Sequence, residues 1–211
     1  MPDDYSTHWN NVWDGRDPAT TSWYQAESTV SLRLIEAYSE IPNASIVDIG
    51  SGRSALIPRL LETGARAIEV LDISRSAVDA AAADLDWPVA VRFTAADVTT
   101  HRFDQAFDVW HDRAVFHFLI TEEQRDGYRE ALLSGTRGGS IVVLSTFASD
   151  GPESCSGLPV CRYSSSDLAA EFPGFVLLHD EIDEHRKPDG ETQRFQYVVL
   201  RRDSAVNSLP R

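Results

Sequence analysis

The sequence has little of several features whose scarcity limits what the protein can be. Only two of its 211 residues are cysteines, Cys155 and Cys161, too few for a disulfide framework. No apolar run approaches the 18 residues of a membrane-spanning helix, so we expect no membrane contact. The first five residues lack the basic and apolar regions of a signal peptide. We therefore expect a cytoplasmic protein with free thiols.

Positive charge is also scarce. Lysine and arginine together number 19 against 33 aspartates and glutamates, which gives a formal net charge of −14. A broad phosphate-binding surface is therefore unexpected, and no basic run suggests a nucleic-acid partner. No Cys-x2-Cys pair or histidine-rich segment indicates structural zinc, so we predict no metal. A monomer is the default expectation.

From Ser45 onward the pattern alternates between strand and helix. Strands are predicted at 46–49, 67–71, 89–93, 107–111 and 141–147, and helices near 28–39, 55–62, 75–85, 122–134 and 166–172. Two further strands, 175–182 and 193–201, are predicted to form an antiparallel hairpin. Such alternation predicts an α/β fold: a mainly parallel sheet with helices on both faces and ligands at the carboxyl ends of the strands.

One domain is expected over residues 1–203. It would consist of an N-terminal lid and helical segment (1–40), a cofactor-binding core (45–147), and a substrate-side loop with the C-terminal hairpin (148–203). Residues 204–211 are expected to form a flexible tail. The loop at 148–163 is long for a compact domain, and such loops are often functional.

A glycine turn follows the first strand, and the chain is organised around it. Gly50-Ser51-Gly52-Arg53-Ser54-Ala55 matches the dinucleotide pattern G-x-G-x-x-G/A, with Asp72 at the position of a ribose-binding acid. The carboxylate of Asp48 favours a different cofactor. It would repel a pyrophosphate and attract the ammonium and sulfonium groups of S-adenosylmethionine.

Five segments in order then resemble the motifs of class I S-adenosylmethionine-dependent methyltransferases. They span residues 46–147, about half of the chain, and the agreement of all five indicates fold and cofactor together. The segments read IVDIGSG (46–52), VLDIS (70–74), AADV (95–98), FDVWHDR (107–113) and RGGSIV (137–142).

The resemblance implies a Rossmann-like seven-stranded sheet of order 3-2-1-4-5-7-6, with strand 7 antiparallel. It also implies that N-terminal aromatic residues cover the methionine end of the cofactor. The cofactor-binding residues expected on this basis are Trp13, Trp23, Asp48, Gly50, Ser51, Gly52, Asp72, Ile73, Asp97, Val98 and Asp112.

Within the superfamily, the segments His8-Trp9-Asn10 and Ser22-Trp23-Tyr24 resemble small bacterial methyltransferases and, distantly, METTL-type protein-lysine methyltransferases. In those lysine enzymes the fourth motif often reads Asp-Lys-Gly. Here Asp112-Arg113-Ala114 stands in its place, and this departure weakens the protein-lysine interpretation.

Candidate catalytic residues follow the fourth strand. Asp112, His111 and His117 lie where the sheet's active edge is expected, and either histidine is a candidate general base. His117 stands in the apolar run Val115-Phe116-His117-Phe118-Leu119, where a packed core histidine is the more ordinary interpretation. Methyl transfer needs alignment first, and it needs a base only when the nucleophile is protonated.

The acceptor stays open at this stage. A small-molecule nucleophile is the first hypothesis, a protein lysine or amine the second, and a non-catalytic or nicotinamide-binding module the third. Cys155 and Cys161 are either two unrelated thiols or a thiophilic site facing the transferred methyl group. His101, His179, His185 and the acidic run 180–184 are expected on the solvated surface.

Overall fold

The central feature of the computed structural model is one seven-stranded mixed sheet. The structure describes residues 5–65, 67–85 and 91–204. The strands are β1 (Ser45–Ile49), β2 (Ala67–Asp72), β3 (Val91–Ala95), β4 (Phe107–Arg113), β5 (Thr136–Phe147), β6 (Phe175–Arg186) and β7 (Thr192–Arg202).

The strand order is β3-β2-β1-β4-β5-β7-β6, which confirms the predicted topology. β1 to β5 run parallel, and β7 is antiparallel to both β5 and β6. Ile49 pairs with Leu71 on one side and Asp112 on the other. The register therefore brings the carboxyl ends of β1, β2 and β4 to one edge of the sheet, where the chain order switches direction.

The helices are α1 (Tyr5–Trp13), α2 (Thr29–Tyr38), α3 (Leu56–Glu62), α4 (Arg75–Asp84), α5 (Glu122–Ser134) and α6 (Ser165–Ala170). Ser74 caps α4 by accepting from the Ala77 N–H at 3.1 Å. Thr121 and Gln124 form a capping box on α5. Among the described helices, none combines the length and apolar character needed to cross a bilayer.

The core has two parts, one on each face of the sheet. One part is built around Trp110, Phe116 and Tyr128, and the other around Ile35 and Leu60. Full burial of each such side chain contributes about 1.5–3 kcal/mol. The Trp110 indole N–H donates to the Tyr128 hydroxyl at 2.9 Å, so this buried polar pair is satisfied.

Two strands are several residues longer than predicted, and the long loop contains a short ladder that was not predicted. β5 begins at Thr136 rather than at 141, because a bulge opposite β4 lets the glycines stay inside the strand. β6 extends to Arg186 rather than ending at 182, since each residue from His179 to Arg186 pairs with β7 even where the sequence is charged. The 148–163 loop contains a two-residue ladder between Ser154–Cys155 and Leu158–Pro159.

Two predictions fall partly outside the described residues. These are the start of the third strand, at 89–90, and the tail, of which only residue 204 is described. The prediction of a surface histidine at 185 is wrong. His185 is buried because the lid segment (residues 5–27) lies against β6, and its Nε2 is 2.9 Å from the Ser22 carbonyl.

Candidate active site

The turn after β1 requires glycine at positions 50 and 52. Gly50 and Gly52 have φ angles of +61° and +54°, which residues with a Cβ rarely adopt. A Cβ on Gly50 would lie 2.0 Å from Cγ2 of Val115, and one on Gly52 would lie 2.5 Å from the Trp13 ring. Protein side chains therefore pack directly against the bare backbone of the turn.

Asp72, at the end of β2, holds this turn to α4. One carboxylate oxygen accepts from the Gly52 N–H at 2.8 Å, and the other accepts from the Ser74 N–H at 2.8 Å. Burial raises the pKa of Asp72 to about 6, against the lowering effect of these two hydrogen bonds. Each oxygen keeps a second lone pair, so the carboxylate can still accept from a ligand hydroxyl.

Asp97 stabilises the loop that follows β3. Its Oδ1 accepts from both the backbone N–H and the hydroxyl of Thr99, at 2.8 and 2.7 Å. This is an aspartate turn, which orders the backbone locally. Val98 beside it is buried, and the two residues lie on the same cavity wall as Asp72 and Ile73.

Asp48 belongs to a buried polar chain that the sequence analysis did not predict. Its Oδ1 lies 2.6 Å from Nδ1 of His111, and Nε2 of His111 lies 2.8 Å from the Ser31 hydroxyl. The second oxygen of Asp48 is buried without a partner in the described part of the chain. Both ring nitrogens of His111 thus have protein partners in this structure, and one of these partners is Asp48.

Asp112 is enclosed by its own turn and by α5. It accepts from the N–H groups of Val115 and Phe116 and from the Tyr128 hydroxyl, at 2.8, 3.1 and 2.7 Å. Burial raises its pKa to about 6. The structure places its carboxylate behind Val115, outside the residues that line the two cavities described below.

His117 is fully buried, and its Nδ1 accepts from the Phe147 N–H at 3.3 Å. Its Nε2 has no partner among the described residues. Burial, with a smaller contribution from the positive charge of Arg113, lowers the pKa of His117 to about 3. The ring is therefore neutral near pH 7. A neutral ring is compatible both with a packed core histidine and with a histidine that binds a ligand.

The two cysteines are in different environments. Cys155 lines the first cavity, and burial raises the pKa of its thiol, which stays protonated at neutral pH. Cys161 packs against the core on the α5 side of the sheet. The thiols are thus not both directed at one space. Among the described residues, no group of three or more ligating side chains is placed to hold a metal.

The lid segment brings aromatic rings onto the active edge. Trp9 contacts both Trp23 and Phe118 edge-on, with centroids 6.0 and 5.1 Å apart, and Trp13 contacts Trp23 at 6.0 Å. Offset edge-to-face pairs of this kind stabilise beyond the area they bury. Trp13 also lies against the glycine turn, since a Cβ on Gly52 would be 2.5 Å from its ring.

Two residues without a predicted role connect the lid to the rest of the fold: Asn10 contacts the start of α4, and Arg113 contacts the lid from the sheet. Asn10 accepts through Oδ1 from the Ser74 hydroxyl and the Ser76 N–H, at 2.9 and 3.1 Å. Arg113 donates to the Trp23 carbonyl at 3.0 Å and to the Tyr197 hydroxyl at 3.1 Å. Arg113 is the last residue of β4. Its position at the carboxyl end of a strand was the sequence signal that could have indicated a role in the site.

Most of the predicted cofactor-binding residues line two adjoining cavities at this edge. The first contains about 1020 Å³ of empty space, part of it open to solvent. One of its walls comes from strand ends and the loops after them: Ile49, Gly50, Leu71, Asp72, Ile73, Ala96, Asp97 and Val98. A second part of the lining, the aromatic wall, comes from the lid, the end of β4 and the turn after it, the 148–163 loop and the sheet beyond: Tyr5, Trp9, Trp23, Arg113, His117, Phe118, Phe147, Cys155, Gln193 and Phe195.

The second cavity is smaller and more polar. It adjoins the first at Trp13, Trp23, Gly50 and Arg113, and it is also lined by Ser51, Asp48 and His111. Gly52 lines neither cavity; Trp13 covers it, and its N–H is bound to Asp72.

These features fit S-adenosylmethionine. The unpartnered oxygen of Asp48 beside the turn suits its ammonium group, since an anion without a partner in a buried site attracts a cation. Asp72 has lone pairs left for ribose hydroxyls, and the apolar wall at Ile73 and Val98 suits a planar base.

Comparisons with known proteins agree with this geometry. Residues 46–139 match a family model described as a methyltransferase domain. None of the curated proteins compared with the chain matches it. The fold is shared with many solved structures.

Three of those structures cover nearly the whole chain. One, from work on the conversion of a disulfide bond into a thioacetal group during echinomycin biosynthesis, is 20% identical, with a TM-score of 0.75 over 96% of both chains. An S-adenosylmethionine-dependent methyltransferase from Anabaena variabilis is 16% identical, with a TM-score of 0.74 over 94% of this chain and 95% of that one.

The third is the 1,6-didemethyltoxoflavin-N1-methyltransferase of Burkholderia thailandensis, solved with its substrate and S-adenosylhomocysteine. It is 20% identical, with a TM-score of 0.73 over 96% of this chain and 91% of that one. At such identities the three likenesses concern the fold, and the family match supplies the activity. Residues 46–139 therefore form a methyltransferase domain, and this domain implies S-adenosylmethionine as its cofactor.

Proposed function

We propose that the protein methylates a small-molecule nucleophile bound between the lid, the turn after β4 and the 148–163 loop. The observation that carries this proposal is the first cavity, which runs from Asp72 to an aromatic wall that includes Trp9 and Phe118. A concave, mostly apolar space with a few polar groups is typical of small-molecule sites.

The proposed division of the cavity follows its two walls. The strand-end wall holds the cofactor through Asp72, Asp97 and the glycine turn, and Asp48 in the adjoining cavity takes the ammonium group. When bound, S-adenosylmethionine would supply a methyl group on a sulfonium; the acceptor's lone pair would bond to that carbon while the electrons of the carbon–sulfur bond stay on sulfur. The aromatic wall excludes water and orients the acceptor, which is the main requirement of such a displacement.

Two of the structural neighbours are described with small molecules. The Burkholderia enzyme was solved with 1,6-didemethyltoxoflavin, and the first neighbour concerns echinomycin biosynthesis. Both descriptions support a small molecule as the class of methyl acceptor for this chain. They do not identify the acceptor. A protein amine is the competing acceptor, for which the formal charge of −14 would suit a basic target.

Labelling separates these acceptors. The purified protein is incubated with cell lysate and S-adenosylmethionine carrying a labelled methyl group. Label in the low-molecular-weight fraction is the expected result, and label confined to protein bands would overturn the proposal in favour of a protein amine. The Asp72→Ala variant serves as the control for background labelling.

Cofactor binding is measured separately. A lysate that lacks a good acceptor is then not mistaken for a protein that cannot bind the cofactor. Calorimetry should give a Kd for S-adenosylhomocysteine on the order of micromolar, and Asp72→Ala should weaken it. If wild type and variant bind alike, Asp72 is not a cofactor ligand and the proposed division of the cavity fails.

A further inference from the structure

Two hydrogen-bond donors on the wall of the first cavity lack acceptors. Nη2 of Arg113 and Nε2 of His117 are both buried and have no partner in the described part of the chain. Buried unpartnered donors are rare in folded proteins because each forgoes its hydration without compensation. Two on one cavity wall indicate that a ligand supplies the acceptors.

The tautomer of His117 follows from its other nitrogen. Nδ1 accepts a hydrogen bond from the Phe147 N–H, so Nδ1 carries no proton. The low pKa of His117 keeps the ring neutral, and the single ring proton is therefore on Nε2. His117 is thus a hydrogen-bond donor toward the cavity rather than the general base that its sequence position suggested.

Arg113 is a cation without a counterion. Its Nε and Nη1 donate to Tyr197 and Trp23, and its guanidinium carbon lies 4.7 Å from the centre of the Phe195 ring. Over the described ranges no carboxylate forms an ion pair with it. The third nitrogen, Nη2, thus remains for a charged acceptor, and a planar guanidinium suits a carboxylate.

We propose that the methyl acceptor is a planar anion whose oxygens accept from the Arg113 guanidinium and the His117 Nε2–H. The carboxylate or ionised hydroxyl lies between these donors, and the planar body lies against Trp9, Phe118 and Phe147. This inference rests on the proposed small-molecule function. An acceptor that arrives ionised also explains why His117 is not arranged as a base, since no proton has to be removed.

A carboxylate could come from a second source. Arg113 also lines the second cavity, so its free nitrogen could hold the carboxylate of the cofactor's methionine part instead. The two sources make different predictions for an Arg113 variant. Loss of acceptor binding supports the proposal, and loss of S-adenosylhomocysteine binding supports the alternative.

The test uses two nearly isosteric probes, 2-naphthoate and 2-naphthamide, titrated by calorimetry into the protein saturated with S-adenosylhomocysteine. Wild type should bind the naphthoate at least tenfold more tightly. Arg113→Met should remove that preference and, because it also frees the Trp23 carbonyl of the lid, weaken S-adenosylhomocysteine binding no more than severalfold. The matched control is Arg162→Met, which removes an exposed arginine paired with Glu153 and should keep the preference.

Equal affinity for the two probes, or binding of neither, overturns the proposal. So does an Arg113→Met variant that retains the preference and loses S-adenosylhomocysteine. Failure here is separate from failure of the proposed function, because the labelling experiment does not depend on these probes.

A second measurement observes the His117 ring itself. In nitrogen-15 spectra of the histidine-labelled protein at pH 7, the ring signal that His117→Asn removes should show its proton on Nε2. Adding 2-naphthoate to the S-adenosylhomocysteine complex should shift it. A charged ring, the Nδ1–H tautomer, or no shift on adding naphthoate contradicts the proposal.

Discussion

Asp48 and His111 form a buried pair at the centre of the active edge, with Oδ1 and Nδ1 2.6 Å apart. The pair crosses from β1 to β4, whose register sets the two residues opposite each other. Ser31 on α2 extends the chain of contacts to the helix layer. His111 thus fixes the orientation of Asp48 through one carboxylate oxygen. The other oxygen is left for the ammonium group that Asp48 is expected to attract.

Removing His111 should therefore destabilise the protein more than removing Ser31. His111→Leu leaves a buried carboxylate without a partner, a change that costs about 3–5 kcal/mol of unfolding free energy. Ser31→Ala removes one outer hydrogen bond and should cost about 1 kcal/mol. Urea denaturation measures both, with half-buried His179→Leu as the control. Equal losses from the two variants would show that Asp48 does not depend on His111.

The glycine turn gives a matched pair of substitutions. Gly50 and Gly15 share a φ of +61°, yet a Cβ on Gly50 meets Val115 at 2.0 Å and one on Gly15 meets nothing within 4 Å. Both alanine variants carry backbone strain of about 1–2 kcal/mol. Gly50→Ala should lose a further 1–3 kcal/mol, roughly, from overpacking, measured by urea denaturation. Similar losses would mean that Val115 moves away freely.

Asn10 offers a test of how firmly the lid segment is attached. Asn10→Ala removes the acceptor of two hydrogen bonds to the start of α4, each worth about 1 kcal/mol. We expect severalfold weaker binding of S-adenosylhomocysteine, measured by calorimetry, because Trp13 would no longer be held over the turn. Asn11→Ala changes an exposed neighbour of the same type and should bind like wild type. Unchanged affinity in Asn10→Ala would show that the lid does not contribute to cofactor binding.

The parts of the fold that repeat a local pattern could be predicted from the sequence. Glycine turns, capping residues and apolar strands are set by neighbours in the chain, and Ser74 and Thr121 cap the predicted helices. The strand order came from the resemblance rather than from any local signal. Boundaries failed where pairing across the sheet extends a strand through glycines or charges, as at Gly138 and Glu184.

The sequence predicted which residues line the candidate site better than it predicted their hydrogen-bond partners. Asp72, Ile73, Asp97 and Val98 line one cavity wall, as strand-end residues should. The partners of Asp48 and His117 could not be predicted, because Ser31 and Phe147 come from distant parts of the chain. His185 was misplaced for the same reason, since only tertiary packing brings Ser22 against it.

Cofactor binding should depend on pH through Asp72. Its carboxylate has a pKa of about 6 in the folded chain, and protonation removes an acceptor for ribose hydroxyls. The affinity for S-adenosylhomocysteine should therefore fall as the pH drops through about 6, measured by calorimetry between pH 5 and 8. Asp72→Asn should bind weakly with little pH dependence, and Asp97→Asn should keep the step. A flat wild-type profile would argue against Asp72 as the ribose ligand.

The neutral state of His117 predicts a pH dependence of stability. Its pKa is lowered to about 3 in the folded chain against 6.5 in an unfolded one, so the unfolded chain takes up the proton first as the pH falls. Stability from this group is fully present above about 6.5 and is lost as the pH falls from there toward about 3.

The measurement compares wild type with His117→Asn, whose side-chain oxygen can still accept from the Phe147 N–H. Between pH 7 and pH 5, wild type should lose on the order of 2 kcal/mol more unfolding free energy than the variant, at up to about 1.4 kcal/mol per pH unit. Comparing the two chains cancels the opposite contributions of Asp72 and Asp112, whose raised pKa values favour the folded state at low pH. Parallel stability profiles would mean that His117 takes up its proton in the folded chain as readily as in the unfolded one.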